Sequence, residues 1–243
     1  MNYIVIPAYQ PDNKLIKLIE KIHEKSDFRI LVIDDGSSSK CQYIFDKAEQ
    51  YATVLRHQVN QGKGQALKTA FDYIQQQNSY GTVVTADADG QHKIWDIFRT
   101  ANKASENPNK LILGVRAFTG KVPLRSRFGN SLTKALFKIQ TGVEVADTQT
   151  GLRAFTTNLI PFMLKIEGNR YEYEMNMLLE ATKEYQILEV PIETVYINDN
   201  EGSHFRPIRD GLMIYKNIFK FALSSLSSFV VDYLVYAIAI LFL

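Results

Sequence analysis

Thr82-Val83-Val84-Thr85-Ala86-Asp87-Ala88-Asp89-Gly90-Gln91 is the stretch whose reading decides the fold. Its first five residues are β-branched or small and apolar, as in a buried strand; acidic residues and a glycine then end it in a turn. The same pattern occurs twice earlier. Residues 3–7 form a short β-rich run leading to Ala8 and Tyr9, and residues 28–33 lead to Asp34-Asp35-Gly36-Ser37. A helical pattern separates these two, with Leu15, Leu18, Ile19 and Ile22 on one face and Pro11, Asp12 and Asn13 ahead of it. Further on, residues 41–51 read as a helix, 54–56 as a strand, 65–77 as a helix, 94–105 as a helix and 110–115 as a strand. Strands alternating with helices predict an α/β fold, Rossmann-like, with a mostly parallel sheet and helices on both faces. In such sheets ligands bind beyond the carboxyl ends of the strands. The polar clusters at 7–9, 34–37 and 87–91 are therefore expected to converge on one crevice.

The second half is less regular. Residues 122–140 read as helical, 147–155 as a loop entering a strand, and 172–184 as a helix. Residues 187–197 read as a strand that Pro191 places near a sheet edge. Residues 206–220 form a basic amphipathic pattern: Ile208, Leu212, Tyr215 and Phe219 recur at helical spacing among Arg209, Lys216 and Lys220. Such a helix suits a membrane interface. From Phe221 to Leu243 the only charged residue is Asp232. As a helix this stretch reaches roughly 35 Å, enough to span a hydrocarbon core. The expected organisation is an α/β domain over 1–205, a juxtamembrane helix over 206–220 and a transmembrane helix over 221–243. Basic residues before the span place the catalytic side in the cytoplasm. Asp232 is costly in lipid and calls for a helix partner or polar cavity.

The 243 residues suffice for one sizeable core, and a net charge of +2 is too small for a nucleic-acid binder. The single cysteine, Cys41, leaves no internal disulfide and fits a reducing compartment. No basic region followed by an apolar stretch stands at the N-terminus.

The 87–91 cluster carries the sharpest chemistry. Along an extended backbone, side chains two apart share a face, so Asp87, Asp89 and Gln91 would offer three oxygens to one point. Such donors suit Mg²⁺ or Mn²⁺, which a diphosphate leaving group needs as its charge builds. A solvated acidic turn would read the same in isolation. Asp34 and Asp35 would meet a base or ribose, or serve a capped turn. Asn60-Gln61-Gly62-Lys63-Gly64 opens a helix, where Gly62 allows close backbone approach and Lys63 can meet a phosphate. It lacks the spacing of a Walker loop and the Ser/Thr after its lysine.

Taken together these pieces resemble the family 2 glycosyltransferases of the GT-A fold. The matching residues are Ile6-Pro7-Ala8-Tyr9, Val32-Ile33-Asp34-Asp35-Gly36-Ser37, Asn60-Gln61-Gly62-Lys63-Gly64 and Asp87-Ala88-Asp89-Gly90-Gln91-His92. Asp147-Thr148-Gln149-Thr150-Gly151-Leu152-Arg153 is similar to the Asp-x-x-Ser-Gly-Phe-Arg motif of the dolichol- and polyprenyl-phosphate sugar synthase branch, with Thr150 in place of the usual serine. The stretch from Phe219 to Tyr233 resembles the first helix of the GtrA-like membrane family, so the span is expected to be the start of a larger membrane domain or an oligomerising anchor.

The resemblance implies roles by position. Pro7, Tyr9, Asp34, Asp35, Gly62, Lys63 and Asp87 would line the nucleotide pocket, and Asp87, Asp89 and Gln91 would hold the metal. Arg116, Arg125, Arg127 and Arg206 would receive phosphate groups, and Asp147 would sit near the acceptor. Asp89, Asp147 and these four arginines are the expected catalytic set. The implied reaction is inverting transfer of a hexose, glucose from UDP-glucose, onto undecaprenyl phosphate at the cell membrane for cell-envelope glycans, by a homo-oligomer joined through membrane helices. A GDP-mannose donor is the alternative. From another class, the chain would be a non-catalytic nucleotide-binding membrane scaffold, which need not keep a full metal triad. A processive polysaccharide synthase would carry Gln-x-x-Arg-Trp, but the only tryptophan is Trp95, after Lys93-Ile94.

Overall fold

The computed structural model describes residues 1–116, 133–135 and 137–193, with helical pieces at 223, 227–233 and 236. It divides into two units, Met1–Ser203 and His204–Leu243. Arg125, Arg127, Arg206, the basic stretch 206–220 and most of the apolar stretch 221–243 lie outside the described residues. In the second unit, residues 227–233 are helical and exposed. Among the described residues no helix is long and apolar enough to cross a membrane.

The first unit is built on one seven-stranded sheet of order β3-β2-β1-β4-β6-β5-β7. The strands are β1 (Tyr3–Ala8), β2 (Arg29–Asp34), β3 (Thr53–Arg56), β4 (Thr82–Thr85), β5 (Lys110–Arg116), β6 (Arg153–Thr156) and β7 (Gln186–Ile192). All pairings are parallel except those of β6, which runs against both β4 and β5. β7 is one of the two edge strands and carries Pro191, where a missing amide hydrogen is tolerated.

Alternation along the strands divides the core. Ile4, Ile6, Val32, Val84 and Ala154 face one side with α1 (Asn13–Lys25), α2 (Gln42–Ala48) and α4 (Ile94–Glu106). On the other face lie α3 (Lys63–Gln76), α5 (Ile160–Lys165) and α6 (Glu172–Glu184). There Phe71 of α3 meets Phe155 of β6 edge-on, ring centroids 5.3 Å apart. The expected layering of helices on both faces is what the chain adopts. The amphipathic logic of α1 also holds: Leu15, Leu18, Ile19 and Ile22 are buried, and the Asp12 carboxylate caps the helix by accepting from the Lys14 amide at 2.8 Å.

Two elements differ from expectation. The segment expected as one helix from Cys41 begins with a 3₁₀ turn, Ser39–Cys41, before α2. The short α5, with Pro161 in its first turn, was not expected; six residues give too little periodicity to read.

β1 pairs with β4 only from Tyr3↔Val83 to Val5↔Thr85, while its pairing with β2 runs on to Ala8↔Asp34. The two neighbours therefore part at the carboxyl end of β1. Strand order also reverses there, where such sheets bind ligands. Pro7 lies past the last β1–β4 pair.

Candidate active site

Five segments meet at that end of the sheet. Asp34 closes β2 and accepts the Ser37 amide at 2.8 Å, and Ser37 Oγ accepts the Gln10 amide at 2.9 Å. These bonds tie the β2 exit to the β1 exit, where Tyr9 is exposed.

Asp35 faces inward. Its Oδ1 accepts from the Gln61 amide at 2.9 Å and pairs with His57 Nδ1 at 2.8 Å. Its Oδ2 accepts from the Gly62 amide at 2.8 Å and Asn60 Nδ2 at 2.9 Å. His57 Nε2 in turn meets Thr69 Oγ1 at 2.9 Å. Expected to face a nucleotide, Asp35 here clamps the glycine-bearing loop before α3. Gly62 has φ +103°, and a Cβ there would lie 2.5 Å from the Asn169 carbonyl oxygen. The glycine thus serves both turn geometry and close approach.

Asp87 and Asp89 follow β4. The expected alternation on an extended backbone is not how they are arranged. Residues 88–90 form a turn, Gly90 has φ +74°, and the Asp89 carboxylate folds back to accept the Gln91 amide at 2.9 Å. Lys63 Nζ lies 2.7 Å from Asp87 Oδ1 and 2.9 Å from Glu174 Oε2. His92 Nε2 approaches Asp87 Oδ2 at 3.4 Å. Burial works to raise the Asp87 carboxyl, yet Lys63 and His92 hold it well below the usual carboxylate range. Burial likewise works against the Lys63 ammonium, and Asp87 and Glu174 hold it above its ordinary value. Asp89 moves the other way: burial first, then the Asp87 charge, push its carboxyl up.

Among the described residues no three His, Cys, Asp or Glu side chains cluster as a metal site. The expected set is two carboxylates and an amide, with a diphosphate to complete it. It fits a hard divalent cation chemically. Asp89 is an acid disfavoured as an anion by burial and then by its acidic neighbour, and added positive charge would offset both.

The loop before β6 arrives at the same end, because β6 runs backwards. Asp147, fully buried, accepts Arg116 Nε at 2.5 Å and Nη2 at 3.0 Å. Its Oδ1 also accepts the Gln149 amide at 3.0 Å. Thr150 Oγ1 donates to the Gly114 carbonyl at 2.6 Å, so threonine can stand for serine because only the hydroxyl is used. Gly151 leaves room for the Asp87 carboxylate: a Cβ there would lie 2.4 Å from Asp87 Oδ2 and would displace it.

Of the expected residues, the structure brings Lys63, Asp87 and Asp89 into one cluster and joins Arg116 to Asp147. Two participants, Glu174 and His57, carry no mark of their own in the sequence, and a third, Arg153, closes the 147–153 motif without a role assigned to it there. Glu174 lies in the first turn of α6 and is reached by Lys63 only through the fold. His57 backs Asp35. Arg153, fully buried, donates from Nε to the Thr150 carbonyl at 3.0 Å and from Nη1 to the Glu174 carbonyl, while its Nη2 has no partner among the described residues.

The acidic strand exits and the helix-opening lysine converge at the carboxyl ends of an α/β sheet, where such folds bind their ligands. Residues 3–163 match the family described as Glycosyl transferase family 2, and the chain belongs to that family. One relative is the UDP-N-acetylglucosamine–dolichyl-phosphate N-acetylglucosaminyltransferase of Methanococcus voltae. It is 26% identical over 215 residues, covering 80% of this chain and 85% of that protein. Glycosyltransferase AglJ of Haloferax volcanii is 27% identical over 224 residues, covering 89% and 70%. The undecaprenyl-phosphate 4-deoxy-4-formamido-L-arabinose transferase of Shewanella sediminis is 27% identical over 171 residues, covering 67% and 50%. Among solved structures, glucosyl-3-phosphoglycerate synthase from Mycobacterium tuberculosis, in complex with Mn²⁺, UDP-glucose and phosphoglyceric acid, superposes with a TM-score of 0.66 at 18% identity. That match covers 92% of this chain and 79% of that one, and establishes the GT-A-like fold.

Proposed function

We propose that this glycosyltransferase moves a sugar from a uridine-diphosphate donor onto a polyprenyl phosphate at a membrane surface. The observation that carries the reading is the pair Asp87 and Asp89 at the β4 exit, one carboxylate paired with Lys63 and the other disfavoured as an anion by burial and by the first. Such a site suits a donor that arrives as a diphosphate with its cation. The Methanococcus voltae and Shewanella sediminis relatives, named for dolichyl and undecaprenyl phosphates, support a lipid phosphate as acceptor. The first of these also supports uridine over guanosine, and makes a hexose or its N-acetylamino form the sugar to test first.

A lipid phosphate oxygen is already anionic, so the attack on the anomeric carbon needs no strong general base. The task left to the protein is to seat two anions side by side. Arg116, fixed by Asp147, is a cation at the β5 exit for a phosphate. Asp147, already engaged with Arg116, acts as its positioning residue. The Asp35-clamped loop sets the start of α3 and with it Lys63. A bound Mg²⁺ or Mn²⁺, held by Asp87, Asp89 and Gln91, would offset charge on the departing diphosphate. In-line attack gives inversion. Residues 206–243 are proposed to hold the enzyme at the membrane.

The test is a donor screen in detergent with undecaprenyl phosphate and Mn²⁺, following sugar into the lipid phase, with Asp89→Ala alongside. Transfer from a UDP-sugar that the variant loses supports the reading. Transfer from GDP-mannose alone replaces the donor. Nucleotide binding without transfer from any donor rejects the lipid-phosphate acceptor.

A further inference from the structure

Lys63 is held between two carboxylates that differ in setting. Asp87 stands at the crevice with 33% of its side chain exposed, whereas Glu174 is more enclosed at 13%. The Lys63 side chain, 18% exposed, bonds to both. Asp87 alone would suffice to pair one ammonium. The presence of Glu174 therefore needs its own explanation.

Glu174 is delivered with care. Its helix begins next to the start of α3, where the Gln65 amide donates to the Asn169 carbonyl at 2.8 Å. That approach needs two glycines: a Cβ on Gly64 would lie 2.5 Å from Tyr173 Cβ, and one on Gly62 would strike Asn169 and Arg170. Glu172 Oε1 gathers the Asn169 and Arg170 amides at 3.0 and 3.1 Å. The buried Arg153 guanidinium pins the Glu174 carbonyl. The main chain that bears Glu174 is thus held in place, while Lys63 sits on a flexible four-carbon stem.

We infer that Glu174 is a second berth for the Lys63 ammonium, a positioning residue that receives Lys63 when the cation and diphosphate of the donor claim Asp87. The inference rests on the donor site proposed above. An ammonium bonded to Asp87 repels a divalent cation arriving at the same carboxylate, and the repulsion is strong where water is scarce. With Glu174 in place, Lys63 gives up one bond, keeps the other, and stays close enough to meet a donor phosphate oxygen. Without Glu174, leaving Asp87 would strand a buried ammonium, so Lys63 would stay and compete with the cation.

The experiment measures Mn²⁺ binding to the full chain, by the electron paramagnetic resonance signal of free Mn²⁺, with UDP present. Lys63→Met, Glu174→Gln and the double variant are compared, with thermal unfolding as the folding control. Groups that orient a metal ligand typically change metal affinity about 10–100-fold when removed. Glu174→Gln is expected to weaken Mn²⁺ binding about tenfold, within that range. In the Lys63→Met background the same change is expected to shift it less than about twofold, since no ammonium remains to house. Equal Mn²⁺ binding by the unaltered chain and Glu174→Gln overturns the inference alone. So does a full-sized loss on adding Glu174→Gln to Lys63→Met, which also decides the matter should the single Glu174 variant not fold. Failure of the unaltered chain to bind Mn²⁺ with UDP or GDP overturns the donor site, and this inference with it.

Discussion

The Arg116 guanidinium is gripped by Asp147 at two points, 2.5 Å from Nε and 3.0 Å from Nη2, and the gripping carboxylate has no exposed surface. The pair joins the exit of β5 to the loop before β6. Removing one partner of a buried ion pair costs about 3–5 kcal/mol. Because Arg116 keeps some solvent contact, Asp147→Ala is expected near the low end, about 3 kcal/mol, by urea unfolding. Sugar transfer should fall further in Asp147→Ala than in Asp147→Asn, which keeps an oxygen for the guanidinium.

Asp35 accepts from two backbone amides, an asparagine amide and a histidine ring. Asp35→Ala leaves buried donors unmet, at about 1–3 kcal/mol each. The expected loss is about 3 kcal/mol in unfolding free energy, since some of the loop can reach water. UDP affinity measured by calorimetry should fall as well, because the start of α3 is no longer held.

Gly151 has no room for a methyl group beside Asp87, whereas Gly142 has open space and only a positive φ of +70°. Gly142→Ala is expected to cost about 1–2 kcal/mol in stability and leave nucleotide binding alone. Gly151→Ala is expected to cost a similar amount and, in addition, to weaken Mn²⁺–UDP binding by displacing Asp87. Calorimetry on the two variants side by side separates the effects.

Tyr173 is buried and its hydroxyl donates to the Met163 carbonyl at 2.8 Å. Burial raises its phenol above the ordinary value. For an acid shifted up on folding, the unfolded chain ionises first, so stability is lost as pH climbs past the unfolded value of about 10. The wild-type melting temperature should therefore drop between pH 9 and pH 11. Tyr173→Phe is expected to lose about 1 kcal/mol at neutral pH and to show a shallower alkaline decline.

The strands and their order of chemistry were legible because burial on both faces of a parallel sheet demands continuous apolar runs, and Ile4–Ile6 and Val32–Ile33 show them. Asp87 and Asp89 were legible because they follow such a run directly. The direction of β6 was not. Arg153-Ala154-Phe155-Thr156 reads as a strand, but nothing local says which way a strand runs beside its neighbours. Asp35 shows the other limit. Its residue type and place suit a nucleotide, yet its partners lie 22 to 27 residues away, and only folding reveals that both oxygens are engaged. Glu174 was hidden for the same reason: its bond to Lys63 crosses most of the domain, and a glutamate in a first helical turn is commonplace.

The backward course of β6 has a consequence for the segment that precedes it. β5 leaves the sheet at the crevice and β6 re-enters from the crevice, and the Gly114 amide to Leu152 carbonyl bond of 2.8 Å closes the excursion like a clasp. Whatever lies between Arg116 and Arg153 is thus a cassette with fixed ends. Lengthening such an excursion adds closure entropy only slowly, about 0.6 kcal/mol per doubling. Length can therefore change between Arg116 and Asp147 at little entropic cost, while Asp34 at the end of β2 and Asp87 just past β4 stay where they are.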